Sequence, residues 1–368
     1  MSWIEQPNAP LPDAPQPDAS QPDVARGPVA ELRTTLPEPT SRWSRFTRRR
    51  GWLVAIALIF LVLLVWRFTQ IPNVGLSGEG LNRTEFQIRT LTAGTLALIM
   101  LAMAQAVIVI SGGIDLSVGS MLLLTNCVAA YFMQGRPLVT CLLISIGVIA
   151  MSMALSALMG WVITASGIPD IIVTLAASFV FSGAALAVLG GPGGGTSPGF
   201  QQLLVGGLSD PLPSIIVIVI VLTVVWLPFA RSRLGVAVYA VGSDRRAAFL
   251  AGVPVARTRV TAYAVGGFFS AMGGLVTTAY LGSGDPRASI GANFTLLSVA
   301  AVVLGGVLLS GGVGGLLGPV LAALSLSLIA PIMLGLEVDP NLAEVARGVI
   351  IIVVVAIGGV LQARRGVT

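Results

Sequence analysis

Apolar residues in this chain fall in long, nearly unbroken blocks separated by short polar connections. The blocks lie at 52–66, 90–110, 116–133, 138–165, 170–190, 214–230, 260–281, 295–309, 315–336 and 345–362. A helix crossing the hydrocarbon core of a bilayer needs ~20 mostly apolar residues, and most blocks approach or exceed that length. The pattern predicts an all-α polytopic integral membrane protein with about ten transmembrane helices. The division at 111–115 is distinctive, because a Gly-Gly pair there can break a helix inside the membrane instead of ending it at the surface.

The flanks differ from the blocks. Residues 1–40 carry Pro at 7, 10, 12, 15, 17 and 22 among Asp, Gln and Ser, a composition that builds neither helix nor core and predicts a disordered tail. A basic collar of Arg42, Arg45, Arg48, Arg49 and Arg50 abuts the block Trp52–Trp66. Arg67-Phe68-Thr69 follows that block where a signal peptide would carry small residues, so it reads as an uncleaved anchoring helix. Arg50 and Arg67 can snorkel, and Trp52 and Trp66 suit the interface. The expected division is therefore 1–50 tail and collar, 51–362 membrane domain, and 363–368 C-terminal tail.

Arginine sets the expected orientation. The collar, the loop 231–259 (Arg231, Arg233, Arg245, Arg246, Arg257, Arg259) and the end (Arg364, Arg365) share one side if ten helices cross, whereas loop 191–213 has no Arg. The positive-inside rule then places both termini in the cytoplasm, with Arg67, Arg83, Arg89, Arg136 and Arg287 as exceptions outside.

Composition sharpens this reading. The chain is 55% hydrophobic and 10% charged, against ~25% charged for a typical soluble domain. All 21 basic residues are Arg, and His is absent. Without His there is no imidazole catalyst or His metal ligand. Without Lys there is no G-x-x-x-x-G-K-[ST] phosphate loop, so any ATP hydrolysis belongs to another polypeptide. Cys127 and Cys141 read as small buried hydrophobes. No enzyme chemistry, cofactor, metal site or nucleic-acid partner is expected.

Three segments stand out. Residues 111–120, SGGIDLSVGS, hold Gly112, Gly113, Asp115, Ser117 and Gly119. Asp115 is the only ionisable residue between Arg89 and Arg136. It can cap a helix starting at Leu116, or meet cargo or a gating partner. The loop 231–259 offers Ser243 as N-cap and Asp244 in the first turn of a short helix, Arg245 to Ala251. That helix carries Arg245, Arg246, Ala248, Phe249 and Leu250, and is stopped by Gly252 and Pro254. It could be a solvated loop; cap, helix and stop in so few residues favour docking in a groove. Seven of residues 304–319, LGGVLLSGGVGGLLGP, are Gly, among them Gly311 and Gly312, which suits close packing or a broken helix. Ser310-Gly311-Gly312 and Gly318 echo Ser111-Gly112-Gly113 and Gly119 at the same offset, the trace of a parallel repeat. Loop 190–199, GGPGGGTSPG, reads as a flexible external connection.

Together these segments resemble the ribose-type permeases of bacterial ATP-binding-cassette importers. Ser111–Ser120 is similar to that family's glycine–aspartate signature, Ala240–Val265 to its coupling loop, Leu304–Ala323 to its glycine-rich late segment, and 167–176 to its inside turn. The chain departs from the pattern in its long Pro-rich tail, in Asp170 where an apolar residue is usual, and in two Arg interrupting the coupling helix. The resemblance implies a multi-pass protein of the bacterial plasma membrane with a second permease chain, most simply an identical one. It also implies an ATPase subunit gripping the coupling helix and an extracytoplasmic binding protein delivering a monosaccharide or polyol. The nearly uncharged spans suit a neutral cargo. An ion- or proton-coupled secondary transporter is the alternative, and its discriminating feature is intramembrane ionisable residues, of which Asp115, Asp170, Glu344 and Arg347 qualify. A membrane scaffold or receptor, whose cytoplasmic loop binds something else, is a third.

Overall fold

The computed structural model describes residues 42–71, 75, 78–207, 210–338 and isolated residues between 342 and 352. The Pro-rich tail, most of the block 345–362 and Arg364–Arg365 lie outside the described residues, as do the collar's side chains. The chain falls into two units, Met1–Arg49 and Arg50–Thr368. The membrane bundle belongs to the second.

The described residues are helical without a named strand. In chain order they form α1 (Arg42–Thr69), α2 (Gly78–Ile110), α3 (Val118–Met133), α4 (Leu138–Ser166), α5 (Asp170–Val188), α6 (Pro198–Val205) and α7 (Leu212–Arg231). After these come α8 (Arg233–Ser243), α9 (Arg245–Leu250), α10 (Val255–Leu281), α11 (Ala288–Leu304) and α12 (Leu317–Gly335). Seven are long and apolar enough to cross a membrane: α1 through its span Gly51–Thr69, then α2, α4, α5, α7, α10 and α12. The sequence blocks 116–133 and 295–309 correspond to α3 and α11, of 16 and 17 residues. At ~1.5 Å per residue these fall short of a ~30 Å hydrocarbon core. Each adjoins irregular backbone, 111–117 before α3 and 305–316 after α11, which is tolerated at membrane depth only where protein buries it.

Burial ranks the helices. The most apolar window of α2 is 94% buried and that of α1 only 6%, so α2 is the central post and α1 a peripheral helix facing lipid. Around α2 pack α10, α11 and α12, and α10 also lies along α3 and α4. Glycines on α10 permit that approach. A Cβ on Gly274 would stand 2.0 Å from Thr125 Oγ1, and Ser152 Oγ donates to the Gly267 carbonyl at 2.7 Å. Within α7 the backbone widens to a π-turn over Val221–Trp226. Pro228 two residues later has no N–H for an i→i−4 bond, and a wider turn accommodates that loss.

Trp52 also has a tertiary partner: its Nε1 donates to the Leu304 carbonyl at 2.7 Å and pins α1 to the end of α11. One local expectation, for loop 190–199, is corrected. Loop 190–199 is not a loose connection. Gly193 and Gly284 exchange both backbone hydrogen bonds, at 3.0 and 2.7 Å, and Gly195 N donates to the Ala130 carbonyl. Asn126 braces the same corner, donating to Thr278 Oγ1 and accepting from Asp285 N, both at 2.9 Å. Asp285 in turn pairs with Arg287, which holds its carboxyl below the usual carboxylate range. Cys127 and Cys141 are free and buried, as expected.

Candidate functional site

The three singled-out segments meet at one end of the bundle, the end bearing the basic loop. The helix α9 starts at Arg245, and its cap is not Ser243 but Asp244, one residue later. Its backbone is extended (φ −159°, ψ 111°), and Oδ1 accepts from the amides of Arg246 at 2.8 Å and Ala247 at 2.9 Å. Asp244 can do this because its short carboxylate reaches the unpaired first-turn amides at the positive end of the helix. Ser243 instead closes α8, its hydroxyl donating to the Tyr239 carbonyl at 2.9 Å. The helix spans six residues, stopping at Leu250 and not Ala251. Gly252 then adopts φ +81°, where a side chain would be strained.

Side chains on α9 point in two directions. Ala248 is buried against the bundle, while Phe249 and Leu250 are 70% and 78% exposed. The two arginines also divide. Arg245 turns back, and its Nη2 donates to the Gly112 carbonyl at 2.8 Å. Arg246 stays on the exposed surface. α9 is thus tied to the first Ser-Gly-Gly break through one arginine.

The second break closes on the same spot. Gly312 N donates to the Ile110 carbonyl at 2.9 Å, bridging the two copies of the motif directly. Gly242, the penultimate residue of α8, fits between them. A Cβ there would stand 1.8 Å from Ile110 O and 2.6 Å from Gly312 N. Gly112, Gly311 and Gly312 have φ of +79°, +89° and +70°, so the junction combines left-handed backbone with contacts too close for any side chain. The two copies do not end helices alike. The first follows Ile110 directly, and the second lies six residues beyond the end of α11.

Asp115 is buried, and its Oδ1 accepts from Ser117 N at 2.6 Å and Ser117 Oγ at 2.7 Å. It is not the cap of a helix starting at Leu116. The helix α3 starts at Val118 with Ser117 in the cap position, and Asp115 shapes the turn before it. Gly119 lies against α11, where a Cβ would stand 2.0 Å from the Gly291 carbonyl.

A second cluster was legible in sequence only as an oddity. Asp170, the first residue of α5, forms a salt bridge with Arg259 and accepts from Tyr263 Oη at 2.9 Å, both partners on α10. Arg259 is 6% exposed and Tyr263 fully buried. Gly113 is appressed to the pair, for a Cβ there would meet Asp170 Oδ2 at 2.7 Å. The signal available in sequence was an acid opening one apolar block and a base shortly before another, 89 residues apart. Between these residues and α9 lies a cleft of about 720 Å3, walled by Thr164, Gly167, Asp170, Arg245, Phe249 and Arg257. It opens beside the most exposed apolar side chains of α9.

A polytopic helical bundle whose broken spans converge on a short, capped, exposed helix has the build of a membrane transport subunit. The chain belongs to the family described as branched-chain amino acid transport system / permease component, whose model matches residues 88–355. It is 34% identical to a probable ABC transporter permease, y4mJ of Sinorhizobium fredii, over 85% of this chain and 90% of that one. It is 33% identical to the ribose import permease protein RbsC of Bacillus subtilis, over 70% and 79% of the two chains. The autoinducer 2 import system permease protein LsrD of Yersinia enterocolitica is 31% identical over 86% and 94%. No solved structure matches. The protein is therefore a multi-pass permease of the bacterial inner membrane in an ABC import system, with an ATPase and a solute-binding protein as the partners such a system uses.

Proposed function

We propose that this permease carries a monosaccharide or related polyol into the cytoplasm, driven by an ATPase subunit that grips α9. Two relatives named as import permeases, for ribose and for autoinducer 2, support a small hydroxylated cargo. So do the buried polar groups of the bundle, which are largely hydroxyls and amides such as Thr95, Asn126, Thr278, Thr295 and Ser298. A neutral cargo needs no intramembrane counter-charge. Both termini and loop 231–259 face the cytoplasm in this reading. A second, identical permease chain completes the pore, and the binding protein delivers cargo from outside.

The observation that carries the proposal is the division of labour on α9. Arg246, Phe249 and Leu250 face outward, while Arg245, through Gly112, anchors the helix to the broken spans. Exposed aromatic and aliphatic side chains beside arginine are the usual anchors of a protein interface. A pull on α9 by the ATPase would reach both Ser-Gly-Gly breaks without passing through a flexible element.

The test separates the two roles. The double variant Arg246→Glu, Phe249→Ala should insert and melt like wild type yet lose ATPase binding and uptake. Arg245→Gln should instead lower thermal stability, because the Gly112 tether goes. Normal ATP-driven uptake by the double variant would refute docking on this surface.

A further inference from the structure

A small cavity at the opposite end of the bundle has features that transport does not use. It encloses about 290 Å3 between α1, α2 and α12. One end is polar, with Arg67, Gln87 and Thr90. The deeper part is mixed, with Leu64, Leu91 and Leu328 beside Thr95 and Ser327. Arg67 lies sixteen residues after Gly51 on the span of α1, or ~24 Å along the helix at 1.5 Å per residue. It therefore sits near the membrane interface on the side away from α9, with Leu64 nearly one turn deeper. The outer side of α1 is open to lipid, since Leu61, Val62 and Val65 are each more than half exposed.

Arg67 is half-buried, and its guanidinium has one side-chain partner, the neutral Gln87 Oε1 at 3.3 Å. Among the described residues it forms no salt bridge. A cation held partly out of water without an anion is unfavourable, and the planar guanidinium matches phosphate oxygens through paired hydrogen bonds. The volume is too small for a whole lipid. It suits a phosphodiester, its glycerol and the first methylenes of a chain, with the remaining tail running down the exposed side of α1.

From this geometry we infer that the cavity is a binding site for an anionic phospholipid of the outer leaflet, its phosphate on Arg67 and its chain entering past Leu64. The lipid closes the gap between the peripheral helix α1 and the central post α2. The leaflet follows from the orientation proposed above; the site itself does not depend on the cargo or on the ATPase.

The full-length permease, purified and delipidated in detergent, would be titrated with phosphatidylglycerol, phosphatidylcholine or inorganic phosphate. Bound lipid is read by native mass spectrometry and melting temperature by tryptophan fluorescence. Wild type should retain phosphatidylglycerol in preference to phosphatidylcholine and gain thermal stability from it. Inorganic phosphate, which lacks the chain, should neither compete nor stabilise. Arg67→Gln should weaken phosphatidylglycerol retention at least tenfold. Leu64→Trp, which fills the deeper part of the cavity and leaves the guanidinium in place, should weaken it comparably. Equal retention by wild type and both variants would overturn the site. So would competition by inorganic phosphate as effective as that of the lipid, which would mean a free-anion site instead.

Discussion

Gly242→Ala removes the space that lets the two Ser-Gly-Gly breaks meet. The added Cβ would stand 1.8 Å from the Ile110 carbonyl oxygen, whereas an ordinary carbon–oxygen approach is ~3.3 Å or more. The obstacle is backbone on both sides, Ile110 O and Gly312 N, so no side chain can swing away. α8 must move by more than an ångström, or the 2.9 Å bond from Gly312 N to Ile110 O must open. Opening it leaves the buried Ile110 carbonyl and the half-buried Gly312 amide unpaired, at about 1–3 kcal/mol; the backbone shift costs a similar ~1–3 kcal/mol. Either route predicts a loss of about 1–3 kcal/mol, which should lower the melting temperature in detergent by a few degrees. Gly147→Ala is the control. Gly147 lies within α4 with open space where a Cβ would go, and alanine there should be neutral or stabilising by ~0.5–1 kcal/mol. Differential scanning fluorimetry of the two variants, followed by ATP-driven uptake in vesicles, makes the comparison. A Gly242→Ala protein with wild-type stability and uptake would refute the reasoning that the breaks and α8 form one rigid junction.

Three further outcomes follow from other parts of the bundle. Asp170→Ala leaves Arg259 buried without its carboxylate and should cost about 3–5 kcal/mol, while Asp170→Ala with Arg259→Leu should recover much of that loss; additive losses in chemical or thermal melts would show that the two do not act as a pair. Asp244→Ala should cost about 0.5–2 kcal/mol by uncapping α9 and should weaken ATPase binding, whereas Asp244→Ser retains most of both; identical binding by all three proteins would count against the capped helix as a docking element. Asp285 has a depressed carboxyl pKa because of Arg287, so its pairing stabilises the fold above the ordinary carboxylate value of ~3.9 and is lost as pH falls below it through the folded-state value. The stability gap between wild type and Arg287→Gln should therefore narrow from pH 5 to pH 3 in thermal melts; a constant gap would remove the ion pair as its cause.

Much of this architecture could be read along the chain because lipid imposes a simple rule of length and polarity. Each of the nine blocks before residue 337 became a helix, and one helix ends beside the glycine pair at 112–113. Each of the three singled-out segments is visible along the chain by itself. Their meeting was not legible, because backbone-to-backbone contacts such as Gly312 N to Ile110 O leave no trace in side-chain pattern. The cap was displaced by one residue since Ser243 and Asp244 are both good cappers, and only the fold decides which takes extended φ and ψ. Asp170 looked like a departure from pattern. Its meaning depended on Arg259, a partner 89 residues away that no local window contains. Loop 190–199 looked loose from its glycines, yet they are what allow it to pack against Ala130 and Gly284.

The most direct measurement is solute entry into proteoliposomes containing this chain, with and without the cognate ATPase subunit, each in the presence of the solute-binding protein and a labelled monosaccharide. The account predicts accumulation that requires the ATPase and internal or external ATP on its side of the bilayer, and none from an imposed proton or sodium gradient. Gradient-driven accumulation by this chain in the absence of any ATPase would contradict it.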